Sequence, residues 1–266
     1  MVGKLFAVGR VLAAGLMAAT LASATANAGK LEDIEKAGVI RVGVGLTGEP
    51  IGFRDGQNNP VGYDVDVAQR LADSLGVKLQ ITEVSGAVRI TMLQSGQIDV
   101  VVCNMTATLE RARAVDFSIT YLKSGIKLLT RDGTGVKSMA DLKGKKVIVG
   151  RGTTGETMIK REAPDAELVY TESFAPEAIL LLQQKRADAA IEDSTLVDFA
   201  ALKNPGLIAL PQIYTSDPEA IGVAKGDLEF VRYLDMFVSN YITSGAYQAN
   251  YKKWFGQEGP ALTPLW

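Results

Sequence analysis

Short apolar runs of strand length alternate with segments of helical periodicity along most of this chain. Val39 to Gly45 is a β-branched run, Tyr63 to Leu75 carries apolar residues at helical spacing, and Lys78 to Glu83 alternates apolar and polar residues. The order strand, helix, strand is typical of parallel sheets with helices on both faces. The alternation therefore predicts an α/β fold with mainly parallel sheets.

The same alternation continues through two successive units. The first unit goes on with a predicted helix, a buried strand and a helical turn, at Ala87 to Gln94, Ile98 to Cys103 and Leu109 to Ala114. The second unit begins after Gly125 and contains the predicted strands Lys145 to Val149, Glu167 to Tyr170 and Ala187 to Ile191, with helices at Glu156 to Arg161 and Pro176 to Gln184. Because ligands bind at the carboxyl ends of parallel strands, we expect the polar turns of the two lobes to face each other.

The N-terminus has the pattern of a cleavable secretory signal. Lys4 and Arg10 precede the apolar run Val11 to Ala24, and small residues follow up to Ala28. The run is shorter than the roughly 20 apolar residues that a membrane span needs. We therefore expect export and cleavage after Ala28; the alternative is a retained N-terminal anchor.

The composition excludes several classes of function. A formal net charge of −2 and a pI near 5.4 argue against nucleic acid or an anionic membrane as partner. Cys103 is the single cysteine, so no intramolecular disulfide is possible. The chain has no histidine, which removes Ser/His hydrolases and most zinc enzymes. We expect no cofactor, no metal and no direct membrane insertion.

The segment Asp99 to Phe117 predicts half of an anion site. An apolar strand leads into a polar turn and a charged helix start, which carry Asn104, Thr106, Thr108 and Arg111. Hydroxyls, free backbone N–H groups and a planar guanidinium suit a carboxylate. The alternative is that Thr108 caps a helix and Arg111 is solvated.

The glycine-rich turn Gly150 to Gly155 predicts a second anion-binding element. It lacks the Gly-Lys-Ser/Thr ending of a nucleotide phosphate loop. The hydroxyls of Thr153 and Thr154 at a helix N-terminus can instead close on an anion from the far side.

Arg186 to Ser194 ends in the carboxylate pair Glu192 and Asp193. An acid at a strand end in a cleft is an acceptor for a primary ammonium group. The alternative is that Asp193 caps the following helix. Arg111 on one lobe and Asp193 on the other would together form a receptor for a zwitterion.

At this point the chain closely resembles the extracellular solute-binding proteins of family 3, the periplasmic receptors of polar amino-acid ABC transporters. The resemblance covers nearly all of the mature sequence. It rests on the segments Gly62 to Ala68, Leu93 to Asp99, Met105 to Arg111, Asp116 to Ser118, Asp141 to Val147, Gly152 to Thr154, Ala187 to Ala189 and Tyr251 to Gly256.

The resemblance implies a two-lobed periplasmic binding protein type II fold in which two hinge crossings join the lobes. The crossings would lie near Gly125 to Leu129 and near Pro218 to Val223. The implied organisation is a signal peptide at 1–28, a first lobe at 29–125 plus 219–266, and a second lobe at 126–218.

The resemblance also implies the function and the roles of single residues. Arg111 and the Thr106 hydroxyl would hold the α-carboxylate of a free L-amino acid, helped by backbone at Asn104 and by Thr154, and Asp193 would accept the α-amino group. The implied protein is a periplasmic monomer that delivers its ligand to an inner-membrane ABC permease.

Departures from the family pattern bear on the ligand side chain. Glycines stand where relatives for glutamine or basic amino acids have two aromatics and an acid: Gly48, Gly86 and Gly45. Arg89 stands where glutamate/aspartate receptors have a side-chain-binding arginine, and Arg151 would add to it. These residues favour an acidic or polar ligand, glutamate- or aspartate-like. The alternative is that Arg89 is solvated and Arg151 points outward, and Glu192 argues against an acidic ligand if it faces the pocket.

A second class of function is an enzyme on the same scaffold. Periplasmic cyclohexadienyl or prephenate dehydratases resemble this family, and Glu192 would have to be the general acid. The expected Asn-Pro-Gly-Gly-Thr-Asn type of turn is absent from this sequence. A ligand-sensing domain of a signalling receptor is a third class, which we rank lower because no transmembrane segment follows Trp266.

Overall fold

A computed structural model describes residues 29–172, 174–175 and 177–266. The signal peptide predicted at 1–28 lies outside the described residues. The strands are β1 (Val39–Val44), β2 (Phe53–Arg54), β3 (Pro60–Val61), β4 (Lys78–Glu83), β5 (Val100–Val102), β6 (Val115–Ser124), β7 (Ile126–Arg131), β8 (Lys146–Gly150), β9 (Glu167–Thr171), β10 (Ala189–Asp193), β11 (Leu207–Ala209) and β12 (Asp217–Ala224). The helices are α1 (Lys30–Ala37), α2 (Tyr63–Leu75), α3 (Arg89–Gln94), α4 (Thr154–Glu162), α5 (Glu177–Gln183), α6 (Ser194–Lys203), α7 (Leu228–Thr243) and α8 (Ala246–Phe255).

Two five-stranded sheets form the cores of two lobes. The strand orders are β4-β1-β5-β12-β6 in the first sheet and β11-β7-β10-β8-β9 in the second. Only β12 in the first sheet and β7 in the second run antiparallel to their neighbours. Four of the five strands in each sheet therefore point the same way, which confirms the predicted mainly parallel α/β fold and adds one reversed crossing strand per sheet.

Helices cover both faces of the first sheet. Along β5, Val100 and Val102 pack with Leu71 of α2 in one apolar cluster, whereas Val101 packs with Leu93 of α3 in another. Successive side chains of a strand point to opposite faces, so a strand buried on both faces is apolar throughout. This explains why Val-Val-Val stands at the centre of the sheet.

The second sheet is covered in the same way. Val147 and Val149 of β8 pack with Ile159 of α4 in a third apolar cluster. Ile148, between them, belongs with Leu182 of α5 to the same cluster as Val100 and Val102. The two lobes therefore have the same layered construction.

The two chain crossings lie side by side at the hinge. The first runs from β6 through Gly125 into β7, and the second runs from β11 to β12 through Thr215. A Cβ atom on Gly125 would lie 2.3 Å from the Thr215 carbonyl oxygen, so only glycine permits this approach. The Ile126 N–H donates to Thr215 Oγ1 at 2.7 Å, which ties the crossings together.

In the part of the chain that the structure describes, no helix combines the length and the apolar character needed to cross a membrane.

Candidate functional site

A polar cavity, here called the cleft cavity, lies between the lobes. It is formed at the carboxyl ends of β1 and β5 in the first lobe and of β8 and β10 in the second, where open α/β sheets bind ligands. Its lining residues are Gly45, Thr47, Ile51, Gly86, Arg89, Cys103, Asn104, Thr106, Arg111, Thr153, Thr154, Glu192, Asp193 and Leu196.

The Arg111 side chain spans the two lobes. Its Nη1 donates to the Thr106 carbonyl in the first lobe at 2.8 Å, and its Nη2 donates to the Gly152 carbonyl in the second at 2.9 Å. Burial, with the nearby Arg89 charge, lowers the pKa of Arg111 to about 10. A partly desolvated guanidinium that is held by neutral carbonyls is well placed to receive an anion.

Thr108 also has the capping role that the alternative interpretation gave it. Arg111 lies in a 3₁₀ turn, Arg111–Arg113, and its N–H donates to Thr108 Oγ1 at 3.1 Å. The predicted helical turn at Leu109 to Ala114 is therefore shorter in the structure. The cap holds the start of the turn, while the guanidinium reaches the cleft cavity.

On the second lobe, the Thr153 hydroxyl is the N-cap of α4. It accepts from the Glu156 N–H at 3.1 Å and donates to the Gly150 carbonyl at 2.9 Å. The hydroxyl proton is therefore already donated, and the predicted contact with an anion would replace the bond to the Gly150 carbonyl while leaving the cap in place. Thr154, the first residue of α4, also lines the cleft cavity and retains the predicted position.

The structure contradicts the prediction that Arg151 faces the pocket. Its guanidinium lies 3.8 Å from the centroid of the Tyr170 ring, and the residue is exposed. Tyr170 comes from β9, where it pairs with Val149 of β8, and its ring attracts the cation from outside the cleft.

The Asp193 carboxylate faces the cleft and makes no side-chain cap to α6. Its Oδ2 accepts from Asn104 Nδ2 of the first lobe at 2.5 Å, and its Oδ1 accepts from Ser124 Oγ at 3.3 Å. Burial, together with the charges of Glu219 and Glu192, raises the pKa of Asp193 well above its ordinary value. A bound cation would relieve this unfavourable burial.

Asn104 is held by a pair of buried residues to which no role was assigned from the sequence. Its backbone has φ +40°, and its N–H donates to Asp64 Oδ2 at 2.8 Å. The Tyr121 hydroxyl donates to Asp64 Oδ1 at 2.8 Å, and burial raises the pKa of Asp64 to about 7. The resemblance implied that backbone at Asn104 helps to hold the ligand α-carboxylate; in the structure its N–H already donates to Asp64.

Three buried carboxyl groups meet at the hinge. One carboxylate oxygen of each of Asp193, Asp217 and Glu219 lies within 4.8 Å of the other two. Ser124 Oγ donates to Glu219 Oε1 at 2.7 Å, and Thr215 Oγ1 donates to Asp217 Oδ2 at 2.9 Å. We call these three residues the hinge carboxylates. Asp193 was already a predicted site residue, and the sequence signal for the other two was their position as acidic residues in the otherwise apolar β12.

Burial raises the pKa of Glu219 from 4.5 to about 8, and Ser124 opposes this shift. The folded protein thus holds a proton that the unfolded chain has released at intermediate pH. The contribution of Glu219 to the free energy of unfolding is fully present below pH 4.5 and is lost as pH rises through about 8.

We therefore expect the melting temperature of the ligand-free protein to fall between about pH 5 and pH 9, and Glu219→Gln to remove part of this fall. At the alkaline end, Glu219→Gln should be more stable than the wild type by about 1–3 kcal/mol, which is several degrees. Thermal melts across the pH range measure this, with the exposed Glu258→Gln as control. An unchanged pH profile in Glu219→Gln would contradict the pKa assignment.

Arg89 and Glu192 occupy the cleft cavity away from solvent. Arg89 is 5% exposed, and its Nη1 donates to the Cys103 carbonyl at 3.0 Å. The alternative of a solvated Arg89 is therefore wrong. Glu192 is 8% exposed, its Oε1 accepts from the Asp193 N–H at 3.1 Å, and burial raises its pKa.

The glycines at the expected aromatic and acidic positions mark close approaches of backbone and side chains. A Cβ atom would lie 2.6 Å from the Arg151 carbonyl oxygen at Gly86, 2.8 Å from the Ala175 Cβ at Gly48, and 2.6 Å from Cys103 Sγ at Gly45. An aromatic pair has no room at Gly48 and Gly86 in this arrangement of the lobes.

Gly86→Ala is expected to weaken ligand binding by about 10–100-fold, because its methyl group would force the Arg151 carbonyl away as the lobes close. Titration calorimetry with the amino acid that the wild-type protein binds measures the effect. Gly56→Ala is the matched control, since a Cβ atom there meets nothing within 4 Å. Equal affinity of the two variants would show that the close approach of Gly86 to the Arg151 carbonyl is not needed for ligand binding.

Two α/β lobes that are joined by two crossings, with a polar cavity between them, are the architecture of type II periplasmic binding proteins. The model of the bacterial extracellular solute-binding proteins, family 3, matches residues 40–257. The chain belongs to this family.

Individual relatives agree with the family. The ABC transporter glutamine-binding protein GlnH of Bacillus subtilis is 36% identical over 204 residues, which cover 75% of this chain and 74% of GlnH. A crystal structure of a cysteine-binding protein from Campylobacter jejuni has a TM-score of 0.82 and 27% identity, over 89% of this chain and 97% of that chain. An ancestral amino acid-binding protein, a precursor of cyclohexadienyl dehydratase, has a TM-score of 0.78 and 33% identity, over 86% and 100%.

Proposed function

We propose that this protein is the periplasmic receptor of an ABC transporter and that it captures one free L-amino acid between its lobes. The observation that carries the proposal is the pair Arg111 and Asp193. A cation of the first lobe and a carboxylate of the second line the same buried cavity, and each lacks an oppositely charged partner in direct contact among the described residues. A zwitterion supplies both missing charges.

The ligand lies with its α-carboxylate on Arg111 and its α-ammonium on Asp193. Thr106 and Thr154 line the same cavity. The Thr106 hydroxyl donates to Glu219 Oε1 at 3.4 Å in the structure and would turn to the ligand carboxylate. Asn104 supports Asp193 through the contact between Nδ2 and Oδ2. Closure of the lobes removes water from both charged ends, which strengthens each contact.

The proposal extends to the side chain and to the transport cycle. The names of the relatives above refer to glutamine and cysteine, and both support a polar ligand. The protein is exported by its signal peptide, acts as a monomer, and hands its ligand to an inner-membrane permease. Glu192 lines the same cavity as Arg89, which argues against the acidic ligand side chain predicted from the sequence.

We place binding above dehydratase chemistry for this cavity. The only carboxyl group that sequence analysis offered as general acid, Glu192, accepts a backbone N–H from Asp193 at 3.1 Å. The ancestral relative above is itself named an amino acid-binding protein.

A thermal-shift panel of glycine, the chiral standard L-amino acids and their D-enantiomers tests the proposal. A ligand at 1,000 times its Kd adds about 4 kcal/mol, which corresponds to a rise in melting temperature of about 8–16 °C. We expect such a rise with one or a few polar L-amino acids and not with their D-enantiomers. If no L-amino acid stabilises the protein, the proposed function is wrong.

A further inference from the structure

We propose that Asp64 and Arg89 act as positioning residues for the ammonium subsite at Asp193. They hold one peptide group, between Cys103 and Asn104, and the Asn104 side chain passes the effect on to the second lobe. This inference rests on the proposed function, because it concerns the same cavity. It gives Arg89 a role within the protein, in place of the contact with a ligand side chain that the resemblance implied.

Two buried groups of opposite charge hold the peptide group between Cys103 and Asn104. Arg89 Nη1 donates to its carbonyl oxygen at 3.0 Å, and its N–H donates to Asp64 Oδ2 at 2.8 Å. Asp64 is fully buried, and Arg89 is 5% exposed. Hydrogen bonds to charged groups are about twice as strong as those between neutral groups. The two bonds, here called the peptide clamp, therefore fix the orientation of this peptide plane.

The peptide clamp keeps Asn104 in a left-handed conformation. Its φ is +40°, which is uncommon for a residue other than glycine and persists only where the surrounding contacts require it. Asp64 is held in turn by the Tyr121 hydroxyl, which donates to its Oδ1 at 2.8 Å and accepts from the Asn104 N–H at 3.2 Å. Asp64 does not line the cleft cavity, so it can affect a ligand only through another residue.

The Asn104 side chain carries this orientation across the cleft to Asp193. Its Nδ2 donates to Asp193 Oδ2 at 2.5 Å. The other oxygen, Oδ1, accepts from Ser124 Oγ at 3.3 Å, whereas the same hydroxyl makes a shorter bond of 2.7 Å to Glu219. A hydroxyl has one proton to donate, and the shorter bond takes it. Asp193 Oδ1 is therefore the oxygen that remains for the ligand ammonium group, and Asn104 sets its direction.

Asp64→Asn tests the inference, because the side chain keeps its shape but loses the charge that holds the Asn104 N–H. We expect the affinity for the preferred L-amino acid to fall about tenfold in titration calorimetry, and the melting temperature of the ligand-free protein to change by at most a few degrees. Asp73→Asn, at an exposed position of the same helix, is the matched control and should bind like the wild type.

The outcomes of this titration separate the inference from the proposed function. Wild-type affinity of Asp64→Asn would overturn the inference and leave the proposed function intact. Failure of every L-amino acid to bind the wild type would overturn the proposed function itself.

A double-mutant cycle with Asn104→Gly separates positioning from a general effect on the fold. Glycine allows the positive φ and keeps the N–H that Asp64 accepts, but it removes the side chain that contacts Asp193. In the Asn104→Gly background, Asp64→Asn should therefore change the affinity by less than about twofold. Equal losses in both backgrounds would show that Asp64 only stabilises its lobe, which would overturn the inference.

The same cycle with Arg89→Gln tests the other half of the peptide clamp. Glutamine keeps an N–H donor but loses the charge, so we expect about tenfold weaker binding that disappears in the Asn104→Gly background. A loss that persists without the Asn104 side chain would mean that Arg89 contacts the ligand directly, and the inference would be wrong. If Asp64→Asn is unfolded in a thermal melt, this second cycle decides alone.

Discussion

Arg111→Ala is expected to weaken amino-acid binding by about 100- to 4,000-fold. In the ligand complex the α-carboxylate would be buried without its cation, and loss of one partner of a buried charge pair costs about 3–5 kcal/mol. Arg111→Lys should bind more weakly than the wild type but more tightly than Arg111→Ala, because an ammonium keeps the charge and loses the planar fork. Titration calorimetry with the preferred amino acid measures all three proteins.

Arg113→Ala provides the control for this experiment. Arg113 lies in the same 3₁₀ turn and is exposed, so its removal tests the turn without touching the cleft cavity. We expect wild-type affinity. If Arg111→Ala also binds within a few-fold of the wild type, Arg111 does not hold the α-carboxylate.

Asp193→Asn is expected to weaken binding by about 100–1,000-fold, because it removes the charge that faces the ligand ammonium but keeps the shape of the side chain. The same substitution should leave the ligand-free protein as stable as the wild type or more stable. Asp193 is one of the three hinge carboxylates, and the loss of its charge relieves their mutual repulsion.

These two effects have opposite signs, so together they separate a binding role from damage to the fold. Calorimetry gives the affinity and thermal melts give the stability. The exposed Asp132→Asn in the second lobe is the matched control. A variant that melts earlier and binds weakly would indicate a structural role for Asp193, and unchanged affinity would remove it from the ammonium subsite.

Features that depend on local sequence were predicted well. The helix Tyr63 to Leu75 and the strand Lys78 to Glu83 have the predicted bounds, because their apolar periodicity and the intervening Gly76, with φ +66°, are local signals. The Thr108 cap is likewise a contact over three residues.

The missed features depend on chain segments that are far apart. The Asn104 N–H goes to Asp64, which lies 40 residues earlier in the sequence. Glu219 reaches Ser124 only because the second crossing brings β12 beside β6. Arg151 turns outward because the pairing of β8 with β9 places Tyr170 next to it. No local pattern contains these contacts.

Prediction of the residues around the ligand side chain depends both on local sequence signals and on contacts between distant segments. Arg89 lines the cavity at the position that the resemblance implied, whereas Glu192, which lines the same cavity, comes from the other lobe. Charge balance in a two-lobed site is set only when the lobes close. This is why an arginine of one lobe does not by itself predict the charge of the ligand side chain.

The central claim is that the two lobes bind the two charged ends of one amino acid. The most direct measurement is a set of calorimetric titrations of the wild-type protein with its preferred L-amino acid, with the α-amide of that amino acid and with its N-acetyl derivative. The α-amide removes the charge that Arg111 binds, and acetylation removes the charge that Asp193 binds. We expect tight binding of the free amino acid and at least about 100-fold weaker binding of each derivative. Affinity of either derivative within a few-fold of the free amino acid would contradict the account.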